Sequence, residues 1–395
     1  MRAHRRSTRR SVLVALVCLS VAMGSMTSGP AAATPPDGEV VSGVPARAGE
    51  LPFVVGILNA NIGENRNALV CGGTLIAPRR VLTAAHCVDG GLAAANFEVL
   101  VNTTSLDGSG QRVALAPGGL HIHPRWSPGS GRNDVAALDL AVTTGPVVTI
   151  PRPAQAFAPP GTRVTVAGWG WTIPSGATSY DLRKASFPVV SNAECRSAYG
   201  DDGSGLTFDP TTMLCAGEQA GGGAACFGDS GGPLVVRRGG TAYQVGIVSW
   251  SRGCGLPGFP GVYARVSHYA SGNDYFADAT RLPAQGGTAR SRTYLSGKEP
   301  GEPNHARNRG GASSWFAWTA PVTRPVTIDT IGSNFDTVLA VYRGVTVGAL
   351  SAVAVNDDAG GLQSRVQFTA RRGVTYRIAV DGFNGRFGDV VVRVR

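Results

Sequence analysis

The segment that decides the fold is GGGAACFGDSGGPL, residues 221–234, a run of small residues with one Cys, one Phe, one Asp and one Ser. A Gly-rich run is typical of a linker or of a phosphate-binding loop. The phosphate-loop interpretation requires a Lys-Ser or Lys-Thr pair, which does not follow here. An acid directly before a lone hydroxyl, Asp229 before Ser230, is compatible either with a turn or with a serine nucleophile, and the second interpretation requires partners elsewhere in the chain.

A serine nucleophile needs a base that takes its proton and an acid that orients the base. Among the six histidines, His86 is the best candidate for the base, because VLTAAHC (81–87) ends an apolar strand-like run beside a cysteine. The acid lies in RNDVAALDLA (132–141), where either Asp134 or Asp139 is embedded among apolar residues. A carboxylate buried there is costly unless it hydrogen-bonds a partner such as a histidine.

The composition predicts an all-β protein with more than one domain. The 395 residues exceed one ordinary domain, only 16% are charged, and 55 are glycine. Short apolar runs such as FVVGIL (53–58) and YQVGIVSW (243–250) alternate with turn residues up to about residue 266. This spacing indicates antiparallel strands in a barrel or sandwich. Further strand-like runs from residue 273 onward, where no cysteine occurs, predict a second β domain.

The N-terminal sequence predicts export. Residues 1–33 combine a basic start, a short apolar run and AAA at 31–33, which is the pattern of a signal peptide. The apolar run is shorter than the roughly 20 residues that span a membrane. Six cysteines remain after the signal, and an even number in an exported protein favours three disulfides over a metal site. We therefore expect a secreted protein without a membrane span.

The net charge of +10 gives little information about partners. No basic helix or basic run with interleaved aromatic residues occurs, so nucleic-acid binding is not expected. A mildly cationic surface is compatible with contact to an anionic cell wall or polysaccharide.

Seven motifs, in order, resemble those of the chymotrypsin/trypsin-like serine proteases: VVSG (40–43), TAAHC (83–87), NDVAALDL (133–140), GWG (168–170), CFGDSGGP (226–233), VSW (248–250) and PGVY (260–263). The resemblance implies a two-barrel protease domain over residues 40–272, which hydrolyses protein or peptide substrates and requires no cofactor. It implies that His86 is the general base, that Asp134 orients it and that Ser230 is the nucleophile.

The same resemblance implies further site residues. The backbone N–H groups of Gly228 and Ser230 would form the oxyanion hole. Residues 34–39 would be a short propeptide, and cleavage after Glu39 would free Val40 to pair with Asp229 and activate a zymogen. The implied disulfides are Cys71–Cys87, Cys195–Cys215 and Cys226–Cys254.

The substrate pocket implied by the resemblance is lined by Ala224, Ser249, Trp250, Ser251 and Gly261. Ala224 stands where relatives specific for Arg or Lys carry an Asp, so no carboxylate pairs a substrate cation. Small residues at 251 and 261 leave the pocket open, which predicts a preference for large apolar or aromatic residues before the cleaved bond. The alternative is a preference for Glu, in which Ser251 would donate to the substrate carboxylate.

Residues 273–395 resemble the bacterial pre-peptidase C-terminal family in motifs such as NDYFADAT (273–280), GGASSWFAWTAP (310–321) and YRIAVDGF (376–383). The resemblance implies a β-sandwich. Asp336, Asp357 and Asp358 are either oxygen ligands for Ca²⁺ or turn-forming residues.

These motifs start almost directly after the protease motifs, so the apolar C-terminal helix usual in the protease family is shortened or missing. A second class of function is a surface- or polysaccharide-binding protein, in which the protease part serves as a scaffold or zymogen.

Overall fold

The computed structural model describes residues 43–144, 158–172, 176, 178–200, 205–299 and 301–395. The predicted signal peptide, the propeptide and Val40 lie outside the described residues. None of the helices in the described ranges is both long enough and apolar enough to cross a membrane.

Six antiparallel strands close a first barrel in the order β2-β3-β4-β7-β6-β5. Apolar residues from every one of these strands meet in a shared buried core, which is why the sheet closes on itself. Strand β1 (Val44–Pro45) precedes this barrel and pairs with β9 of the next one. The strands of the first barrel and the one α-helix described among them are β2 (Val54–Asn59), α1 (Asn65–Ala68), β3 (Leu69–Ala77), β4 (Arg80–Thr83), β5 (Phe97–Val101), β6 (Gln111–Ile122) and β7 (Ala136–Leu140).

A second set of six strands closes in the order β8-β9-β10-β13-β12-β11, because β11 and β9 both pair with β8. Helix α2 begins with a capping box, in which Ser191 and Glu194 each accept a hydrogen bond from the other's backbone N–H. The elements are β8 (Arg163–Gly168), β9 (Arg183–Val190), α2 (Asn192–Ala198), β10 (Met213–Ala216), β11 (Pro233–Arg238), β12 (Thr241–Trp250), β13 (Gly261–Arg265) and α3 (Val266–Tyr269). The two barrels confirm the predicted chymotrypsin-like fold.

The C-terminal region forms two sheets, with strand orders β14-β16-β21-β18-β19 and β15-β22-β17-β20. Apolar residues from both sheets make one buried core between them, which confirms the predicted sandwich. The strands are β14 (Thr280–Arg281), β15 (Gly287–Arg292), β16 (Ser314–Thr319), β17 (Arg324–Asp329), β18 (Thr337–Arg343), β19 (Ser351–Asn356), β20 (Arg365–Ala370), β21 (Thr375–Gly382) and β22 (Asp389–Val394).

Three disulfides join the cysteines in the pairs that the resemblance implied. They are Cys71–Cys87 in the first barrel, and Cys195–Cys215 and Cys226–Cys254 in the second. The first links β3 to the turn that carries His86, and the last links the segment before Ser230 to the loop after β12.

Candidate active site

His86 lies in a single turn of 3₁₀ helix, Ala85–Cys87, that follows directly on β4. Its backbone N–H donates to Oδ1 of Asp134 at 2.9 Å, and its ring Nδ1 contacts Oδ2 of the same carboxylate at 2.8 Å. Burial lowers the pKa of His86, but the hydrogen bond to Asp134 and its charge outweigh this effect and raise the pKa above the ordinary value. The imidazole side chain is 34% exposed, and its other nitrogen, Nε2, lies 3.8 Å from Sγ of Cys87.

Asp134 is held in place by the residue before it and by a serine of the second barrel. Asn133 adopts a left-handed conformation with φ of 56°, which turns the chain before β7, and its side-chain amide donates to the carbonyl of Arg125. The Asp134 side chain is 2% exposed, and its Oδ2 accepts a 2.5 Å hydrogen bond from the hydroxyl of Ser249. These hydrogen bonds fix the position of the carboxylate beside the His86 ring.

The loop with Ser230 packs against the end of β4, next to His86. The backbone N–H of Gly72 donates to the Ser230 carbonyl at 2.8 Å. Gly231 has φ of 77°, and a Cβ there would lie 2.1 Å from Oγ1 of Thr83, so only glycine allows this approach. The N–H of Gly231 donates to the carbonyl of Val248, one residue before Ser249. The structure therefore brings the segments of His86, Asp134 and Ser230 together where the two barrels meet.

Asp229 is fully buried beneath the GWG motif. Its Oδ1 accepts a hydrogen bond from the N–H of Gly170 at 2.8 Å, and its Oδ2 accepts one from the N–H of Cys226 at 2.9 Å. A Cβ at Gly168 or Gly170 would lie within 2.4 Å of this carboxylate, which explains why both positions are glycine. Burial raises the pKa of Asp229 to about 6, although both hydrogen bonds lower it. The two hydrogen bonds therefore do not fully offset the free-energy cost of burying the charged carboxylate.

The residues predicted for the substrate pocket come from two neighbouring segments. The Cys226–Cys254 disulfide and the hydrogen bond from Gly222 N–H to the Gly255 carbonyl hold these segments side by side. Ala224, Ser249 and Gly261 are all buried. The hydroxyl of Ser251 already donates to the carbonyl of Gly253 at 2.7 Å, and Trp250 packs edge-on against Tyr199.

Phe227, three positions before Ser230, is an exposed aromatic residue that the sequence did not single out. Its side chain is 61% exposed, and its ring lies 4.9 Å from that of Trp171. The backbone N–H of Trp171 donates to the Phe227 carbonyl at 2.8 Å. The sequence feature that could have identified it is that Phe227 is the one large apolar residue in the segment CFGDSGG (226–232).

Asp139, the alternative acid, lies in a different cluster. Its carboxylate bonds the guanidinium of Arg80 and Nε2 of His121. Burial raises the pKa of Asp139, but Arg80 and His121 outweigh it and hold the pKa well below the usual range. These residues line a cleft of about 1000 Å³ between the first barrel and the C-terminal sandwich, away from Ser230.

Two clusters in the C-terminal region contain metal-ligand types. Asp336, Asp357 and Asp358 have carboxylate oxygens within 4.8 Å of one another. Burial and the neighbouring carboxylates raise the pKa values of Asp336 and Asp357, as like charges require. Calcium binding by these three residues stays a prediction. The second cluster includes His305, whose two ring nitrogens are bonded to Tyr342 and Glu302.

Two closed six-stranded barrels, with a His–Asp pair and a serine followed by two glycines where they meet, define a chymotrypsin-like serine endopeptidase. The chain belongs to the trypsin family, whose model, described as Trypsin, matches residues 40–271.

Similar proteins agree with this assignment. Trypsin from Saccharopolyspora erythraea is 36% identical over 232 residues, which cover 58% of this chain and 94% of that protein. Trypsin-1 from Astacus astacus is 35% identical, with 58% of this chain and 96% of that protein covered. Serine protease 56 from Homo sapiens is 38% identical over 58% of this chain and 37% of its own length. The resemblance of residues 273–395 to the pre-peptidase C-terminal family stays a prediction.

Proposed function

We propose that this chain is a secreted endopeptidase that cleaves peptide bonds through an acyl-enzyme on Ser230, with His86 as the base and Asp134 as its orienting acid. The observation that carries the proposal is the double contact of His86 with one buried carboxylate. Because the backbone and the ring of the same histidine both bond Asp134, the imidazole has a fixed orientation and a fixed tautomer.

The proposed mechanism uses the nitrogen of His86 that Asp134 leaves free. Ser230 Oγ attacks the substrate carbonyl carbon while Nε2 of His86 takes the hydroxyl proton. The Asp134 carboxylate stabilises the resulting imidazolium, in keeping with the raised pKa of His86. His86 then gives the proton to the leaving amine. A water molecule next attacks the acyl carbon, His86 takes its proton and returns it to Ser230, and the acid product leaves.

The proposed oxyanion hole consists of the backbone N–H groups of Gly228 and Ser230. Gly228 has φ of 93°, and a Cβ there would lie 3.1 Å from the Cα of Gly170. Glycine therefore allows the peptide to turn without strain, so that its N–H is available to the substrate oxygen. One such donor stabilises the transition state by about 3 to 4 kcal/mol.

The proposed activation supplies the cation that Asp229 lacks in the precursor. Cleavage after Glu39 frees the ammonium group of Val40, which then pairs with the buried carboxylate. The support is the cost of a carboxylate at this position, since burial raises the pKa of Asp229 to about 6. The chain just after the new terminus is already anchored, because Arg183 donates to the carbonyl of Gly43 at 2.9 Å.

The proposed preference is for a large apolar or aromatic residue before the cleaved bond. The buried Ala224 offers no charge to a substrate cation, and the exposed ring of Phe227 adds apolar surface beside the nucleophile. A preference for Glu is not favoured, because the donor of Ser251 is used by the carbonyl of Gly253. A binding function with an inactive scaffold is not favoured either, since the chain belongs to a family of proteases. Polysaccharide contact stays a prediction.

The Ser230→Ala variant tests the proposed function. We expect it to reduce hydrolysis of peptide substrates by a factor of roughly 10⁶ while leaving the melting temperature nearly unchanged. The exposed Ser109→Ala variant is the matched control and retains full activity. Hydrolysis that survives in Ser230→Ala at more than a trace would contradict the assignment.

A further inference from the structure

A buried arginine of the first barrel bonds the C-terminal sandwich at three places. Arg80 begins β4 and lies opposite Asp139 of β7, whose carboxylate it bonds at 2.8 and 3.0 Å. The side chain of Arg80 is 3% exposed. Its guanidinium also donates to the carbonyls of Ser296, Gly311 and Gly385, at 2.8, 2.5 and 3.3 Å. Ser296 and Gly311 lie in the connection between β15 and β16, and Gly385 lies in the connection between β21 and β22, so one side chain of the barrel bonds both connections.

The apolar core of the first barrel continues into the sandwich. Four buried residues from beyond residue 272 pack in the same core cluster as the barrel strands: Tyr294, Leu295, Ala312 and Phe387. The protease part itself ends in helix α3, which has only four residues. Tyr269 of this helix packs edge-on against Tyr294, with ring centroids 6.2 Å apart. The sandwich thus supplies apolar cover that so short a helix cannot supply.

Contacts with the sandwich also reach the segment that leads to Asp134. His123 is 1% exposed, and its ring centroid lies 4.1 Å from that of Tyr294. Two residues further on, the guanidinium of Arg125 pairs with Asp389 of β22 at 3.0 Å. The sandwich therefore contacts the start of segment 123–134, and the first barrel holds its end at Asp134. The position of Asp134 depends on both.

We infer that residues 273–395 are a permanent part of the catalytic unit and that the first barrel does not keep its fold without them. Their removal would take away the three carbonyls that Arg80 bonds and expose the guanidinium to water, so the interdomain hydrogen bonds of this side chain would be lost. It would also expose the apolar core around α3. All described residues accordingly fall in one compact unit. The inference concerns the fold and holds whichever residue is the nucleophile.

The direct test is to cut the chain between the two parts in the folded enzyme. A recognition site for a specific protease is inserted after Gly272, which is exposed, and the mature protein is then cut. We expect both pieces to elute together in gel filtration and peptidase activity to persist. If the pieces are forced apart by mild denaturant, residues 40–272 lose their near-UV circular dichroism. Pieces that separate while residues 40–272 stay folded and active would overturn the inference.

A pair of variants distinguishes the effect of losing the contacts between Arg80 and the sandwich from the general effect of losing an arginine. Arg80→Met removes the donors to the sandwich, whereas Arg112→Met removes an arginine that bonds Glu98 and the carbonyls of Ile62 and Gly63 within the barrel. In the full chain we expect Arg80→Met to raise amide hydrogen exchange at residues 121–135 by at least ~10-fold, and Arg112→Met to leave it unchanged. Equal effects of the two variants, or no effect of Arg80→Met, would contradict the inference.

Discussion

The hydroxyl of Ser249 donates to Oδ2 of Asp134 at 2.5 Å, and the same oxygen contacts Nδ1 of His86 at 2.8 Å. Ser249 belongs to the second barrel, whereas the other two residues belong to the first. The pairing of β12 with β13 shifts register between Val248 and Trp250, so Ser249 is the extra residue of a bulge. The bulge leaves Ser249 outside the regular pairing, where its hydroxyl meets the acid.

The first prediction concerns this hydroxyl. Ser249→Ala removes a hydrogen bond to a buried charged group, so we expect kcat/KM to fall by about tenfold or more, with KM little changed. Ser186→Ala is the matched control, because this serine of the second barrel lies outside the predicted pocket and its hydroxyl bonds the hydroxyl of Thr165 and not Asp134. We expect that variant to stay within about twofold of the parent enzyme. Equal losses in both variants would show that Ser249 does not act through Asp134.

The second prediction concerns the pH dependence. His86 accepts a proton only when it is neutral, so kcat/KM falls as the pH drops through its raised pKa. In Asp134→Asn the opposing charge is lost and burial then lowers the pKa of His86 below 6.5, its ordinary value. The acid limb of the pH profile should therefore move to lower pH, while kcat falls by roughly 10⁴, the effect of a wrong tautomer in a related triad. An acid limb that stays in place or moves upward would contradict the proposed pairing.

The sequence predicted the features that depend on residue type and order. Strand-and-turn spacing and cysteine count predicted antiparallel β structure and three disulfides, because they are local properties. The two-barrel fold and the disulfide pairs were implied only by the resemblance of the motifs around His86, Asp134 and Ser230. The contact between Ser249 and Asp134 was not predictable, because a one-residue bulge decides which way the serine faces. The contacts of Arg80 with the sandwich could not be predicted from the sequence either, because they depend on how the first barrel and the sandwich pack together.

The third prediction concerns Asp229 in the uncleaved precursor. Its folded pKa of about 6 lies above the ordinary 3.8, so its contribution to stability is present below 3.8 and is lost as the pH rises through about 6. Under the proposed activation, the Val40 ammonium would pair with the carboxylate in the mature form and remove this loss. Both forms are compared in the Ser230→Ala background by melting temperature from pH 4 to about 8.

The precursor should become less stable than the mature form as the pH rises through this range, and Asp229→Asn in the precursor should abolish the pH dependence. Parallel melting curves for precursor and mature protein would count against the activation scheme.

The fourth prediction concerns substrate preference. In a peptide library the enzyme should cleave after Phe, Tyr and Leu at least ~10-fold faster than after Arg or Lys, because Ala224 pairs no cation. Ala224→Asp should raise cleavage after Arg and Lys, and Phe227→Ala should lower kcat/KM for apolar substrates by a few fold. A parent enzyme that prefers Arg or Lys would refute the argument from Ala224. A preference for Glu would show that the Ser251 hydroxyl is able to leave the Gly253 carbonyl and donate to the substrate.

The central claim is that Ser230 is an activated nucleophile, and covalent labelling tests it most directly. The mature enzyme is treated with a fluorophosphonate, whose phosphorus is attacked by an activated serine with loss of fluoride. Peptide mapping by mass spectrometry then locates the adduct. We predict one adduct, on Ser230, formed at a rate that falls together with activity in Asp134→Asn and disappears in Ser230→Ala. Labelling of another serine, or peptidase activity that persists after Ser230 is fully labelled, would contradict the claim.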